Sequence, residues 1–181
     1  MWQEYIIPSS PQEVVELLAQ KSNTRIVAGG TDLILELERG VRKDVETLID
    51  VTRIPDLDRI VLDEDDVIHL GPMVTHNHVA GSKLLHERAF PLVRASWEVG
   101  ANQIRNRATV AGNLITASPA NDTITPLMAL GASVTLLSSE GERTIALKDF
   151  YKGVRKTEMR PDEMLVDISF PALTKTQRGT F

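Results

Sequence analysis

The first fifty residues alternate between short apolar runs typical of strands and amphipathic stretches typical of helices. Glu4–Ile7, Arg25–Ala28 and Thr47–Val51 are the predicted strands, and residues 11–20 and 33–39 are the predicted helices. Strand, helix, strand, helix, strand is the pattern of βαβ units, in which each helical crossover returns the chain so that the strands pair in parallel. The N-terminal part of the chain is therefore expected to be a small α/β unit.

A glycine pair follows the second predicted strand. The sequence there is Ala28-Gly29-Gly30-Thr31-Asp32, and a helix is predicted to begin at Leu33. Glycine permits close backbone approach, and the unpaired N–H groups at a helix start favour a phosphate. Neither G-x-G-x-x-G nor G-x-x-x-x-G-K-[ST] is present. Two interpretations stay open: a phosphate-binding turn, or an ordinary strand-to-helix turn capped by Thr31 or Asp32.

A second unusual segment, Thr109–Asp122, is predicted to be a loop that wraps a large phosphate-bearing ligand, and the alternative is a polar Gly/Pro-rich connection without a ligand. It is rich in small residues, and Gly112 allows a bulky group to come close to the backbone. Asp122 would repel a phosphate, so it is either a ribose contact or a plain cap of the next helix. Uncharged side chains that can form hydrogen bonds are supplied by Thr109, Asn113, Thr116 and Ser118.

The remaining pattern is more antiparallel and predicts an α+β fold of two lobes. The expected boundaries are an α/β lobe over residues 1–55, an α+β lobe over 56–172, and the start of a further lobe over 173–181. The predicted strands of the second lobe are Ile54–Leu62, Val67–Pro72, Ala132–Ser138, Arg143–Leu147 and Leu165–Phe170, and its predicted helices are residues 75–85, 91–99 and 123–132.

Composition excludes several classes of function. A net charge of −5 disfavours nucleic acid as a partner, because duplex binding requires a basic face. The chain has no cysteine, so it supplies no thiolate to zinc or to an iron–sulfur cluster. No apolar run is long enough to span a membrane and no signal peptide is visible, so a cytoplasmic protein is expected.

The side chains do not suggest a catalytic centre of their own. His76 and His78 are two residues apart and do not share a helix face, so they are interpreted as surface or capping residues, and no metal site is predicted. Arg105 and Arg107 are suited either to an anion or to ion pairs within the fold. Since a nucleophile and a general base are also lacking, a bound cofactor is expected to supply the reactivity.

Four motifs in this order resemble the FAD-binding subunits of the molybdenum hydroxylases, such as the medium subunit of carbon monoxide dehydrogenase and the FAD part of xanthine dehydrogenase. They are Ala28-Gly-Gly-Thr-Asp-Leu, then Gln103-Ile-Arg-Asn-Arg-Ala-Thr-Val-Ala-Gly-Asn-Leu, then Ala117-Ser-Pro-Ala-Asn-Asp, and finally the group Asp149-Phe-Tyr-Lys-Gly, Lys156-Thr157 and Arg160-Pro-Asp-Glu-Met-Leu. The resemblance covers essentially the whole chain.

The resemblance implies a two-lobed FAD-binding fold of the vanillyl-alcohol-oxidase (PCMH) type. Residues matching Ile26 to Leu33 are expected around the pyrophosphate, the residue matching Asp122 at the ribose, and those matching Ile115 and Val166 near the ring systems. Residues matching Thr109, Gly112 and Asn113 are expected to close the second side. The full set of expected FAD contacts is Ile26, Val27, Ala28, Gly29, Gly30, Thr31, Asp32, Leu33, Ala108, Thr109, Gly112, Asn113, Ile115, Ser118, Asp122 and Val166.

The same resemblance implies partners. Substrate would be oxidised at a molybdenum–pterin centre on a large subunit, and electrons would pass through two [2Fe–2S] clusters of a small subunit to the FAD, and then commonly to NAD⁺. Family members usually continue into a C-terminal lobe with a lysine near the flavin, and Lys175–Phe181 resembles the start of that lobe. Ala111 also stands where glycine is commoner.

Two other functions are possible from the sequence. One is an assembly or binding module of the same fold that does not retain FAD. The other is a stand-alone oxidase, which is disfavoured because 181 residues leave no room for a separate substrate domain.

Overall fold

The computed structural model describes residues 2–181, and its N-terminal lobe is built on a three-stranded parallel sheet. The strand order is β1-β3-β2, with both neighbours of the central β3 running parallel to it. Ser10 caps the first helix by accepting a hydrogen bond from the Glu13 N–H, and Pro11 occupies its first turn. The elements are β1 (Glu4–Ile6), α1 (Pro11–Gln20), β2 (Thr24–Val27), α2 (Leu33–Glu38) and β3 (Thr47–Asp50). The βαβαβ prediction is confirmed.

The second lobe is built on a five-stranded antiparallel sheet. Its order is β4-β5-β10-β6-β7, so that the last strand of the chain, β10, lies in the centre. Its strands are β4 (Ile60–Leu62), β5 (Val67–Leu70), β6 (Ser133–Ser138), β7 (Gly141–Ala146) and β10 (Met164–Pro171). The short β8 (Tyr151–Gly153) and β9 (Lys156–Thr157) form a separate hairpin. Together with the parallel sheet, this confirms the two-lobed α+β fold.

Helices cover one face of the antiparallel sheet. They are α3 (His76–Gly81), α4 (Lys83–Arg88), α5 (Phe90–Glu98), α6 (Asn102–Arg105), α7 (Val110–Thr116), α8 (Ile124–Ala129) and α9 (Leu147–Phe150). The main hydrophobic core lies between them and the sheet and includes Ile68, Leu114 and Phe150, all fully buried. No helix in residues 2–181 is long and apolar enough to cross a membrane.

Two predicted elements of the second lobe are wrong in extent. The strand predicted over Ile54–Leu62 is reduced to β4, because Asp56 adopts a positive φ of 61° and breaks the extended chain. The helix predicted over residues 75–85 is two helices. Ser82 interrupts it with extended dihedral angles and uses its hydroxyl to cap α4 at Leu85.

The two lobes are joined by an apolar interface on the other face of the antiparallel sheet. Val14 and Val15 of α1 are buried there in one cluster with Leu137 and Met164 of the sheet. The apolar face of α1 and the second face of the sheet therefore pack against each other. The carboxyl ends of β2 and β3 lie at the border between the lobes.

Candidate functional site

The segment Ala28–Leu33, here called the glycine turn, leaves its backbone donors free. None of its six consecutive N–H groups donates a hydrogen bond to another residue of the range 2–181. Gly30 has φ +74°, a conformation that a residue with a Cβ rarely adopts. The turn is partly accessible, so its donors are available to an anion.

The side chains of the glycine turn do not act as caps. Asp32 precedes α2 but its carboxylate makes no capping hydrogen bond, and its backbone is already helical. The interpretation of a turn capped by Thr31 or Asp32 therefore finds no support in the capping geometry. Helix α2 has only six residues, so the free N–H groups themselves, more than a helix dipole, make the turn suitable for an anion.

The glycine turn touches the second lobe directly. A Cβ on Gly29 would overlap the carbonyl oxygen of Arg107 and would lie 3.0 Å from the Cα of Ala108. Only glycine permits this backbone contact. The two segments that the sequence singled out are thus adjacent in space, with Ala108 and Thr109 beginning the second side.

Half of the predicted loop Thr109–Asp122 is a helix, α7, and the prediction is corrected for residues 110–116. Thr109 has extended dihedral angles and its Oγ1 accepts a hydrogen bond of 2.9 Å from the Gly112 N–H, which caps α7. Val110 and Leu114 bury the inner face of that helix. The Thr109 hydroxyl still has its own proton to donate, because in the cap it acts as an acceptor.

Asparagines close the turn that follows α7. The Asn113 side chain is nearly buried and donates a 3.2 Å hydrogen bond to the Thr123 hydroxyl, while Asn121 donates to the Asn113 carbonyl at 2.7 Å. Ser118 accepts from the Ala120 N–H and so shapes the same turn. Asn113 and Ser118 thus hold the segment in place, a role that the sequence interpretation did not assign to them.

Asp122 has no partner within the fold. Thr123, not Asp122, stands at the start of α8, and no side-chain cap is made there. The Asp122 carboxylate is half-buried and forms no hydrogen bond or ion pair within residues 2–181. The interpretation of Asp122 as a plain helix cap is therefore wrong, and its carboxylate remains available to a ligand hydroxyl.

The two residues expected near ring systems lie in different surroundings. Ile115 is on α7 and is 41% exposed. Val166 lies at an irregularity of β10, where it packs against the inter-lobe cluster. It lines a groove of about 420 Å³ together with Leu57, Arg59 and His69.

The groove beside Val166 carries a charge network. Asp167 accepts from Arg59 at 3.0 Å and contacts His69 Nδ1 at 2.8 Å, while Asp63 contacts His69 Nε2 at 3.2 Å. Burial acts to lower the pKa of His69, but the two carboxylates outweigh it and the pKa is raised. These charges satisfy one another, so the network is interpreted as structural.

The structure gives a separate outcome for each of the two arginines and two histidines singled out in the sequence. Arg107 is exposed and its guanidinium has no partner within residues 2–181, whereas Arg105 donates to backbone carbonyls at the end of α5. His78 completes a capping box with Thr75, as the capping interpretation expects. His76 is fully buried, so the surface interpretation of this residue is wrong.

Some residues near the site were missed by sequence reasoning. The Arg155 N–H donates to the Ala117 carbonyl at 2.9 Å, and its guanidinium lies 3.5 Å from Glu36 of α2. The β8–β9 hairpin thus links the end of α7 to α2. Arg155 lies between the motif Asp149-Phe-Tyr-Lys-Gly and Lys156-Thr157, and the local sequence does not indicate this contact, because it joins segments far apart in sequence.

Comparison with known proteins places the chain in a family. Residues 2–173 match the family described as "FAD binding domain in molybdopterin dehydrogenase". The chain is 33% identical over 171 residues to the nicotinate dehydrogenase FAD-subunit of Eubacterium barkeri, covering 91% of this chain and 57% of that protein. It is 31% identical over 173 residues to the carbon monoxide dehydrogenase medium chain of Hydrogenophaga pseudoflava, covering 95% and 60%.

Solved structures give the same result. Carbon monoxide dehydrogenase from Hydrogenophaga pseudoflava superposes with a TM-score of 0.92 at 31% identity, over 97% of this chain and 61% of that one. A glucooligosaccharide oxidase from Acremonium strictum, at 12% identity and a TM-score of 0.57, shares the fold alone. The chain spans about three fifths of the length of the curated relatives it matches. This chain belongs to the family of FAD-binding domains of molybdopterin dehydrogenases.

Proposed function

We propose that the chain binds FAD between the glycine turn and the segment Thr109–Asp122. The observation that carries the proposal is the run of six free backbone N–H groups in Ala28–Leu33, because a diphosphate presents several anionic oxygens that need such donors. The contact between Gly29 and the Arg107 carbonyl places a second set of polar groups beside the first.

The residues available at the site fit the parts of FAD. The Thr109 hydroxyl and the free N–H groups suit the pyrophosphate. The unpaired carboxylate of Asp122 suits ribose hydroxyls, which donate hydrogen bonds to it, and would repel a phosphate. The exposed side chain of Ile115 offers an apolar surface to an aromatic ring.

We further propose that the chain serves as the flavoprotein part of a molybdenum hydroxylase. FAD, when bound, would accept electrons from a partner and pass them to an acceptor such as NAD. The chain's own residues would bind and orient the cofactor and limit its contact with water. The partners would be a large molybdenum–pterin subunit and a small [2Fe–2S] subunit, since this chain contains no cysteine to hold a cluster.

Titration of the flavin-free protein with FAD, followed by flavin fluorescence, tests the binding. FAD should bind, and FMN, which lacks the second phosphate and the adenosine, should bind at least tenfold more weakly. Asp122→Asn should weaken FAD binding by about 5- to 10-fold, because a neutral amide oxygen replaces a charged acceptor and about 1–1.5 kcal/mol is lost. Its stability should not change, because Asp122 has no partner in the fold.

Glu64→Gln is the matched control, since it removes one charge from an exposed turn. FAD affinity should be the same in this variant as in the parent. A protein that binds neither flavin, yet still associates with a molybdenum–pterin subunit, would replace this proposal with the assembly-module function. Unchanged FAD affinity in Asp122→Asn would remove Asp122 from the site.

A further inference from the structure

The separation between the two sides of the proposed site is set by a short piece of backbone, residues 105–109. The Arg107 carbonyl and the Ala108 Cα lie directly against Gly29. Neither group can shift toward Gly29 without overlap, and a shift away would open the site. Whatever holds residues 105–109 in place therefore determines how the second side faces the glycine turn.

The strand-like end of this piece is fixed to the start of α3. The His76 N–H donates to the Ala108 carbonyl at 3.2 Å, and the Val110 N–H donates to the Val74 carbonyl at 2.9 Å. Thr75 and Thr109 form an isolated β-bridge between these two hydrogen bonds. These bonds report directly on the position of residues 108–110.

The other end of this piece begins at Arg105, the last residue of α6, and side-chain hydrogen bonds hold α6 in place. Arg105 Nη1 donates to the carbonyls of Trp97, Val99 and Gly100, at 3.3, 3.2 and 2.8 Å. Carbonyls at the end of α5 lack helical partners, and a cation there also interacts favourably with the helix dipole. Arg105 thus attaches α6 to the end of α5.

A second attachment joins α6 to α3. The Asn77 amide donates to the side-chain oxygens of Asn102 and Asn106, at 2.9 and 2.6 Å. These two residues flank Arg105 on successive turns of the chain. Asn77, Asn102, Arg105 and Asn106 are together called the α6 brace.

Arg105 is half-buried, and its guanidinium forms no ion pair within residues 2–181. The Arg105 Nε and both ring nitrogens of His76 are buried without a hydrogen-bond partner in residues 2–181. Burial, with a further contribution from the charge of Arg105, lowers the pKa of His76 to about 4, so the ring is neutral at pH 7. The backbone carbonyls are therefore the groups that hold the guanidinium.

We propose that Arg105, through the α6 brace, is a positioning residue for FAD: it touches no part of the cofactor but fixes residues 105–109 against the glycine turn. This inference rests on the proposed function. Arg105 acts on the protein backbone only, and the groups described above contact the cofactor.

The test uses Arg105→Met and Arg105→Lys. Methionine keeps the apolar stem and removes all three carbonyl contacts, whereas the ammonium of lysine can retain part of them. Arg105→Met should weaken FAD binding about tenfold, which corresponds to about 1.4 kcal/mol, and Arg105→Lys should be weakened less. Arg94→Met is the matched control, because Arg94 is a half-exposed residue of α5 that pairs with Glu98, lies over the Trp97 ring and makes no hydrogen bond to α6.

A second readout needs no flavin. Amide hydrogen exchange of His76 and Val110 in the flavin-free protein should be faster in Arg105→Met than in the parent, and unchanged in Arg94→Met. If the parent fails to bind FAD, the proposed function is wrong, while exchange still decides whether Arg105 holds this junction. Unchanged exchange and unchanged FAD affinity in Arg105→Met, or equal losses in Arg94→Met, would overturn the inference.

Discussion

At the scale of single residues, the proposed site is shaped more by close backbone contacts than by charge. Gly29 and Gly81 show the contrast. A Cβ on Gly29 would overlap backbone of the second lobe, whereas a Cβ on Gly81 would have no atom within 4 Å. The sequence marked Gly29 as special because it follows a strand in a Gly-Gly pair, but it gave no sign of which backbone lies against it.

Gly29→Ala is expected to destabilise the protein by about 3 kcal/mol, because rigid backbone on both sides must move apart to admit the methyl group. FAD affinity should fall as well, since the two sides of the site separate. Gly81→Ala, at the end of α3, should leave stability within about 0.5 kcal/mol of the parent. Urea denaturation of both variants measures this, and equal stability of the two would show that the Gly29 contact is not tight.

His76 is expected to make stability depend on pH. Its folded pKa of about 4 lies below the unfolded value of 6.5, so the unfolded chain binds a proton that the native protein does not. Stability is therefore full above pH 6.5 and falls by about 3 kcal/mol as the pH drops toward 4. His69, whose pKa is raised, acts in the opposite sense, because its contribution is lost as the pH rises.

Comparison with His76→Leu isolates this effect, since leucine is similar in size and does not titrate. Unfolding free energies measured between pH 4.5 and 7 should fall more steeply for the parent than for the variant. Identical slopes in the two proteins would contradict the assignment of His76 as a buried neutral residue.

At the scale of elements, α7 shows how tertiary packing overrides sequence preference. Val110-Ala-Gly-Asn-Leu-Ile-Thr116 contains a glycine, an asparagine and three β-branched residues, all of which are poor helix formers. The small residues, hydroxyls and amides of the segment predict a loop. The Thr109 cap and burial of Val110, Ala111 and Leu114 make it a helix. Such burial depends on the antiparallel sheet behind it and was not visible locally.

Thr109→Ala should cost about 1 kcal/mol of stability through loss of the cap and should also weaken FAD binding, because it removes a hydroxyl donor from the second side. Thr109→Ser retains the hydroxyl and should stay close to the parent in both measurements. Thermal unfolding and FAD titration check the pair. A serine variant as impaired as the alanine variant would show that the methyl group, not the hydroxyl, matters.

At the scale of the whole molecule, the order of elements was predictable and their assembly was not. The βαβαβ lobe and the antiparallel lobe follow from local apolar patterns, and the motifs predict the two sides of the proposed site. Placement of β10 in the centre of its sheet requires pairing with β5, whose residues are 98 to 104 positions away. Packing of α1 on that sheet brings Val14 and Val15 against Leu137 and Met164, more than 100 positions away. The prediction of FAD comes from the resemblance to a family and not from the periodicity of the sequence.

The most direct test of FAD binding at this site is the backbone amide NMR spectrum recorded with and without FAD. The proposal predicts that the largest chemical-shift changes fall on the N–H groups of Ala28–Leu33 and of Thr109, with smaller changes on the amides of α1 and β7. Binding of FAD that leaves the Ala28–Leu33 amides unshifted, or no binding at all, would contradict it.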